Sequence, residues 1–169
     1  NWNSAQNVTV TGADDNIIDG TITSTITTSI IDAISDDNFD SVADQTVSVT
    51  TTDDDVAGFT IAQSGGSTTV SESGTTDTFT VVLNAQPASN VVLNITSSDT
   101  GEATVTGTLT FTSGNWNTAQ TVTITGVNDN IIDGAITSTL TVAVNDGSSD
   151  NNFDPVADQT VSVTTTDND

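Results

Sequence analysis

The stretch TLTFTSGNWNTAQTVTITG (108–126) decides the fold. Leu109 and Phe111, then Val122 and Ile124, alternate with threonines on either side of a connection rich in Gly and Asn. Successive side chains of a strand point to opposite faces, so this period of two places the apolar residues on one buried face and the threonines on the other. Thr, Val, Ile and Phe suit a pleated, half-buried surface, while Gly and Asn supply turns. The same alternation recurs in TFTVVL (78–83), and Asp, Asn and Gly crowd the segments between such runs. The pattern predicts an all-β chain with no helix of consequence.

Working outward, strands are expected near 57–63, 68–72, 77–84, 90–97, 106–112, 119–125 with 135–144, and 158–166. In the sixth of these the short second run is expected to merge with the first. About seven short strands at this spacing predict a Greek-key, immunoglobulin-like sandwich. Its expected core is Phe59, Ile61, Phe79, Val81, Leu83, Val92, Leu109, Phe111, Val122, Ile124, Ile136, Leu140, Val142, Val161 and Val163. There is no cysteine, so neither a disulfide nor a thiolate metal site contributes.

The charge is the second informative feature. The 169 residues carry 23 carboxylates and no Lys, Arg or His, for a formal charge of −23. High net charge with low hydrophobicity signals disorder, but 33% of this chain is apolar and patterned at strand period. A folded chain with no positive charge of its own must relieve clustered carboxylates from outside, and a bound cation does so directly.

The sequence also repeats itself. NWNSAQNVTVTGADDNIIDG (1–20) returns as NWNTAQTVTITGVNDNIIDG (115–134), an offset of 114 residues without a gap, and 39 of the 55 aligned positions are identical. A period of 114 residues is the size of a domain rather than of a solenoid unit. Residues 1–52 are therefore read as the C-terminal half of one repeat and 53–169 as one complete repeat. The half repeat would expose an apolar face and unpaired edges unless the missing strands come from a longer tandem chain or from another copy joined head to tail.

The carboxylates fall at turns. Glu72 lies in VSESG, Asp99 in SSDTGE, Asp129 and Asp133 in GVNDNIIDG, and Asp167 and Asp169 in TTTDND. Strand ends of a sandwich converge at its poles, so these side chains could meet although distant in sequence. Calcium takes six to eight oxygen ligands from carboxylates, amides, carbonyls and water, and this set supplies them.

At VSESG (70–74), TGTLTFTSGNWNTAQTVTITGVNDN (106–130) and the terminal TTDDD or TTDND, the chain resembles the Calx-beta domain family, in particular the tandem Calx-beta-like repeats of large bacterial surface proteins. The resemblance implies a seven-stranded sandwich that binds calcium at one end, near the junction with the next domain. Carried over by position, it implies ligands at Glu72, Asp99, Asn128, Asp129, Asp133, Asp167 and Asp169, with the carbonyl of Ile131. In the half repeat the equivalent acids are Asp14, Asp15, Asp19, Asp53, Asp54 and Asp55, without counterparts of Glu72 and Asp99. Metal at Asp53, Asp54 and Asp55, just before Phe59 opens the next repeat, would stiffen the joint.

A second candidate is Asp150, Asn152, Asp154 and Asp158, echoed by Asp36, Asn38, Asp40 and Asp44, which share the 1, 3, 5, 9 spacing of an EF-hand loop but lack its Gly and its final Glu. A plain turn is the stronger reading. Phe39 and Phe153 are expected to cap the sandwich end, and Trp2 and Trp116 to pack rather than bind sugar.

Without His, Cys, Lys, Arg or Tyr, the usual bases and nucleophiles are missing, so catalysis is not expected. Nucleic acid and anionic membranes are poor partners for so acidic a chain. There is no long apolar span, and a signal peptide is not expected in this segment. The expectation is a non-catalytic, calcium-stabilised spacer or filament module of a long extracellular surface or adhesin-like protein, its partners being neighbouring repeats or copies of itself. The alternative is a module that recognises glycan or ice through its Thr-rich faces.

Overall fold

The computed structural model describes residues 3–169, so Trp2 lies outside the described residues. The chain divides into two compact units, one of residues up to Asp15 with Asp19–Asp54, the other of Asn16–Ile18 with Asp55–Asp169.

Among the described residues the N-terminal unit contains one antiparallel pair, β1 (Ile22–Thr28) and β2 (Gln45–Thr51), in register from Ile22 opposite Thr51 to Thr28 opposite Gln45. Its apolar side chains are largely uncovered: Val8, Val10, Ile22, Phe39 and Val47 are all exposed.

The larger unit is a sandwich of nine strands among the described residues: β3 (Phe59–Gln63), β4 (Thr68–Ser71), β5 (Thr76–Leu83), β6 (Val91–Ser97), β7 (Ala103–Val105), β8 (Thr108–Phe111), β9 (Gln120–Gly126), β10 (Ile136–Val144) and β11 (Gln159–Thr166). One sheet has the order β4-β11-β10-β6-β8 and the other β3-β5-β9-β7. All neighbours are antiparallel except β4 and β11, which run parallel from Thr68 beside Val163 to Ser71 beside Thr166. The chain passes from β3 in one sheet to β4 in the other through Gly65 and Gly66, whose φ of 63° and 81° L side chains rarely adopt.

Between the sheets lie Phe59, Phe79, Val81, Leu83, Val122 and Ile124 on one side and Val70, Leu93, Leu109, Phe111, Leu140, Val142, Val161 and Val163 on the other. The period-two alternation is therefore realised as an all-β sandwich. Four details differ from the sequence reading. Residues 119–125 and 135–144 do not merge: β9 and β10 belong to different sheets, and β10 is the longest strand, at nine residues. Ala103–Val105 adds a short strand, so nine strands replace seven. On β6 the buried residues are Val91, Leu93 and Ile95 rather than Val92, because an apolar pair leaves the register ambiguous and a one-residue slip exchanges the faces. Ile61 and Ile136 are only partly buried.

Candidate metal centre

One pole of the sandwich collects strand ends. β4 ends at Ser71 and is followed by Glu72, whose amide N–H donates to the Thr166 carbonyl at 3.1 Å and so fixes it beside the end of β11. Glu102 immediately precedes β7; its carbonyl accepts from the Val127 amide at 2.8 Å and from Thr165 Oγ1 at 3.3 Å. β9 ends at Gly126, which leads into Asn128, Asp129 and Asp133, and β11 delivers Asp167, Asn168 and Asp169. A Cβ on Gly126 would overlap the Ser71 carbonyl, so glycine is what lets β9 pass close to the base of Glu72.

Two trios of carboxylates form there, Glu72 with Glu102 and Asp133, and Glu72 with Asp129 and Asp169, each offering oxygens within 4.8 Å of one another. Oxygens on opposite sides of a calcium ion, bound at about 2.4 Å, stand about 4.8 Å apart, so each trio can close on one ion. Glu72 is common to both trios. It is 1% exposed and Glu102 7%. They are also the two glutamates of the chain.

The electrostatics are those of a site short of positive charge. Burial pushes the Glu72 carboxyl up; the Asn168 amide, 3.3 Å from its Oε2, pulls it down, and the charges of Asp167, Asp129 and Asp133 add to the rise. Glu102 is pushed up by burial and then by Asp133, Glu72, Asp99 and Asp129. Its Oε2 is buried without a hydrogen-bond partner. A buried carboxylate oxygen lacking a donor and facing other carboxylates is costly as an anion unless a cation accompanies it. All the donors are hard oxygens, which suits calcium or magnesium and not a soft metal.

The remaining predicted residues lie outside the two trios and make hydrogen bonds around them. Asp167 accepts the amides of Asp169 and Gly134, both at 2.8 Å, which hold it below the usual carboxylate range. Asp99 accepts from the Gly101 amide at 2.9 Å, Asn128 Oδ1 accepts from Asn168 Nδ2 at 2.9 Å, and Ile131 donates its amide to Asp129 at 2.7 Å. Sequence reasoning missed Glu102. The signal lay in its type: among 23 acids of which the rest are turn-forming Asp, two are Glu, and both are buried here.

In the N-terminal unit Asp53 accepts the Gly20 amide at 2.7 Å, the counterpart of the bond from Gly134 to Asp167. Asp14, Asp15, Asp19 and Asp54 are exposed, Asp53 and Asp55 half-buried, and Asp55 groups with the larger unit. None of these six enters a carboxylate trio among the described residues.

The EF-hand-like spacing is a turn. Asp150 is buried and accepts the amides of Ala88 (2.7 Å), Ser89 (2.9 Å) and Asn152 (3.0 Å). Burial pushes its carboxyl up, but these donors outweigh it and hold the group low. Asp36 caps its own turn through the Asn38 amide. Phe153, in the turn that leads into β11, is fully buried against the core, whereas Phe39 is 56% exposed. Trp116 packs against the core, partly buried.

No protein-family model and no curated sequence matches the chain. Similar solved structures include the apo-form Calx CBD1 domain, 16% identical over 66% of this chain and 98% of that one, with a TM-score of 0.46. Domains 4 and 5 of the S-layer protein SbsC are 25% identical over 75% of this chain and 54% of theirs, at 0.45. A Bacteroides ovatus GH5 xyloglucanase in complex with a heptasaccharide is 19% identical, at 0.43; the likeness covers 66% of this chain and 19% of the enzyme. No helix among the described residues is long and apolar enough to cross a membrane.

Proposed function

We propose that this chain is a non-catalytic structural module, a spacer or filament unit of a long extracellular surface protein, stabilised by calcium at the acidic pole of its sandwich. The observation that carries the reading is the buried pair Glu72 and Glu102, with Glu102 Oε2 lacking any donor, in a chain without a single cationic side chain. Such a pole is unstable as an array of anions and becomes a strength once a divalent ion binds, because ion binding to the folded state is then folding free energy. The ligands are Glu72, Glu102, Asp129, Asp133 and Asp169; Asp99, Asn128 and Asp167 hold the surrounding loops.

The uncovered apolar face of the N-terminal unit supports a tandem or head-to-tail partner. Val8, Val10 and Val47 are exposed there, while their counterparts Val122, Ile124 and Val161 are buried under the sheets of the larger unit. Strands of another repeat, equivalent to β3 through β8, cover that face.

Thermal unfolding in chelator, calcium or magnesium tests the cation. At calcium tenfold above Kd the stabilisation is about 1.4 kcal/mol, which raises the midpoint by roughly 4–7 °C for a domain of this size. Magnesium, which demands a tighter octahedron, gives a smaller rise. Superimposable curves in all three solutions would refute the calcium reading.

A further inference from the structure

The tripeptide Asn-Ile-Ile occurs twice at the repeat offset, at residues 16–18 and 130–132, each time between aspartates. The first copy is seated. Asn16–Ile18 groups with the larger unit. The Asn16 carbonyl accepts the Gln86 amide at 2.7 Å, Ile17 forms a parallel bridge with Gln86, and the Ile18 carbonyl accepts Asn152 Nδ2 at 3.1 Å. The Ile18 side chain is half-buried and lines a notch with Val56, Ala57, Pro155 and Val156 at the edge of the core.

The second copy has no such seat. It lies in the loop between β9 and β10, where Ile131 is 60% and Ile132 82% exposed. The notch adjoins the start of β11 and the acidic trios adjoin its end, so notch and exposed tripeptide stand at opposite poles of the same unit. An isoleucine pair on a loop tip loses solvation free energy for no gain within its own unit, and its identical twin displays what such a pair fits.

We propose that residues 130–132 form a plug that seats in the notch of a further repeat of this sequence, by the contacts its twin makes. The Asn130 carbonyl accepts the amide at the position of Gln86, the Ile132 carbonyl accepts the side-chain amide at the position of Asn152, and Ile132 fills the hollow beside Ala57 and Val156. The partner is thus another repeat with an open notch, offering one backbone donor, one amide donor and an aliphatic floor. This deepens the tandem reading above and rests on it; the plug lies between Asp129 and Asp133 of the proposed ion site, so docking is followed both with and without calcium.

The test uses full chains. A 15N-labelled chain carrying Ile17→Ser, Ile18→Ser, Ile131→Ser and Ile132→Ser has its notch vacated and no plug of its own; unlabelled wild-type chain, which presents residues 130–132, is titrated into it to millimolar concentration. In the labelled variant alone, the Gln86 amide and the Asn152 side-chain amide leave their wild-type NMR positions, and Gln86 loses its protection from hydrogen exchange. On titration both signals return toward those positions. A donor carrying Ile131→Ser and Ile132→Ser produces no return. Signals unmoved by the first pair of substitutions, no return with wild-type donor, or an equal return with the substituted donor would each overturn the proposal. Performing the titration in calcium and in chelator separates the two ideas. Docking without any calcium effect on melting keeps the plug and removes the cation; calcium-dependent melting without docking does the reverse.

Discussion

Glu102 is the residue on which the chemistry turns. Its carboxyl and that of Glu72 are raised by burial and by neighbouring aspartates, so the folded, cation-free chain holds protons on them more tightly than the unfolded chain does. Their contribution to stability is therefore fully present below the unfolded carboxylate range and is lost as pH rises through the folded values. Asp167 and Asp150 have the opposite sign: depressed in the fold, they contribute above the unfolded range and fail as pH falls through their folded values. Glu102→Gln removes one raised group while keeping its shape. In chelator at neutral pH the variant melts at or above the wild-type midpoint, and in calcium it loses most of the ion-dependent rise. Calorimetry in both solutions measures this, and a lower midpoint in chelator would show that the carboxylate is held by something other than a cation. On the proposed calcium reading, adding the ion is expected to invert this pH dependence, because protons and metal compete for the same oxygens, and the same calorimetry repeated across pH checks it.

At the scale of elements, the repeat provides controls within one molecule. Phe153 is fully buried and Phe39 is 56% exposed, although they sit in nearly the same local sequence, DNNFDPVAD against DDNFDSVAD. Phe153→Ala costs the larger unit about 3–5 kcal/mol, and Phe39→Ala costs the N-terminal unit no more than about 0.5 kcal/mol, each read by urea denaturation of the unit that carries it. Gly126 and Gly12 make a second pair. A Cβ on Gly126 meets the Ser71 carbonyl, while one on Gly12 lies 3.6 Å from Thr51 Cγ2, an ordinary contact. Gly126→Ala costs roughly 1–3 kcal/mol or more and Gly12→Ala little, since backbone yields less readily than a side-chain methyl group. Equal costs in either pair would mean that the N-terminal unit is packed as tightly as the larger one.

At the scale of the whole molecule, the two units differ in what each can bury. A lone pair of strands is marginal in water, whereas nine strands in two sheets enclose a continuous core. Amides of Val47 and Val49 therefore exchange with solvent much faster than those of Val161 and Val163, their counterparts at the same register of the β10–β11 pair. Two-dimensional NMR exchange reads both sets at once. Matching protection would show that the apolar face of β1 and β2 is already covered.

Period-two alternation, turn residues and the internal repeat were legible in the sequence alone, because strand period, Asx and Gly turn chemistry and self-similarity are local properties. They determined an all-β chain, its apolar faces and the acids at its turns. The bond from Gly134 to Asp167 forms again from Gly20 to Asp53, which marks it as a local consequence of sequence. Only the tertiary structure decided the rest. It placed β9 and β10 in different sheets, chose Val91 over Val92, buried Phe153 while leaving Phe39 exposed, brought Glu102 beside Glu72 and left Asp99 outside both trios. Each of these depends on which distant strand lies across a face, and near-identical sequences in the two units meet different neighbours. Residues 6–12 are not a strand where residues 120–126 form β9, because β9 is held by β5 and β7 on either side. A strand is completed by its hydrogen-bonded neighbours, and a buried site by the elements that exclude water from it; neither is written in the segment itself.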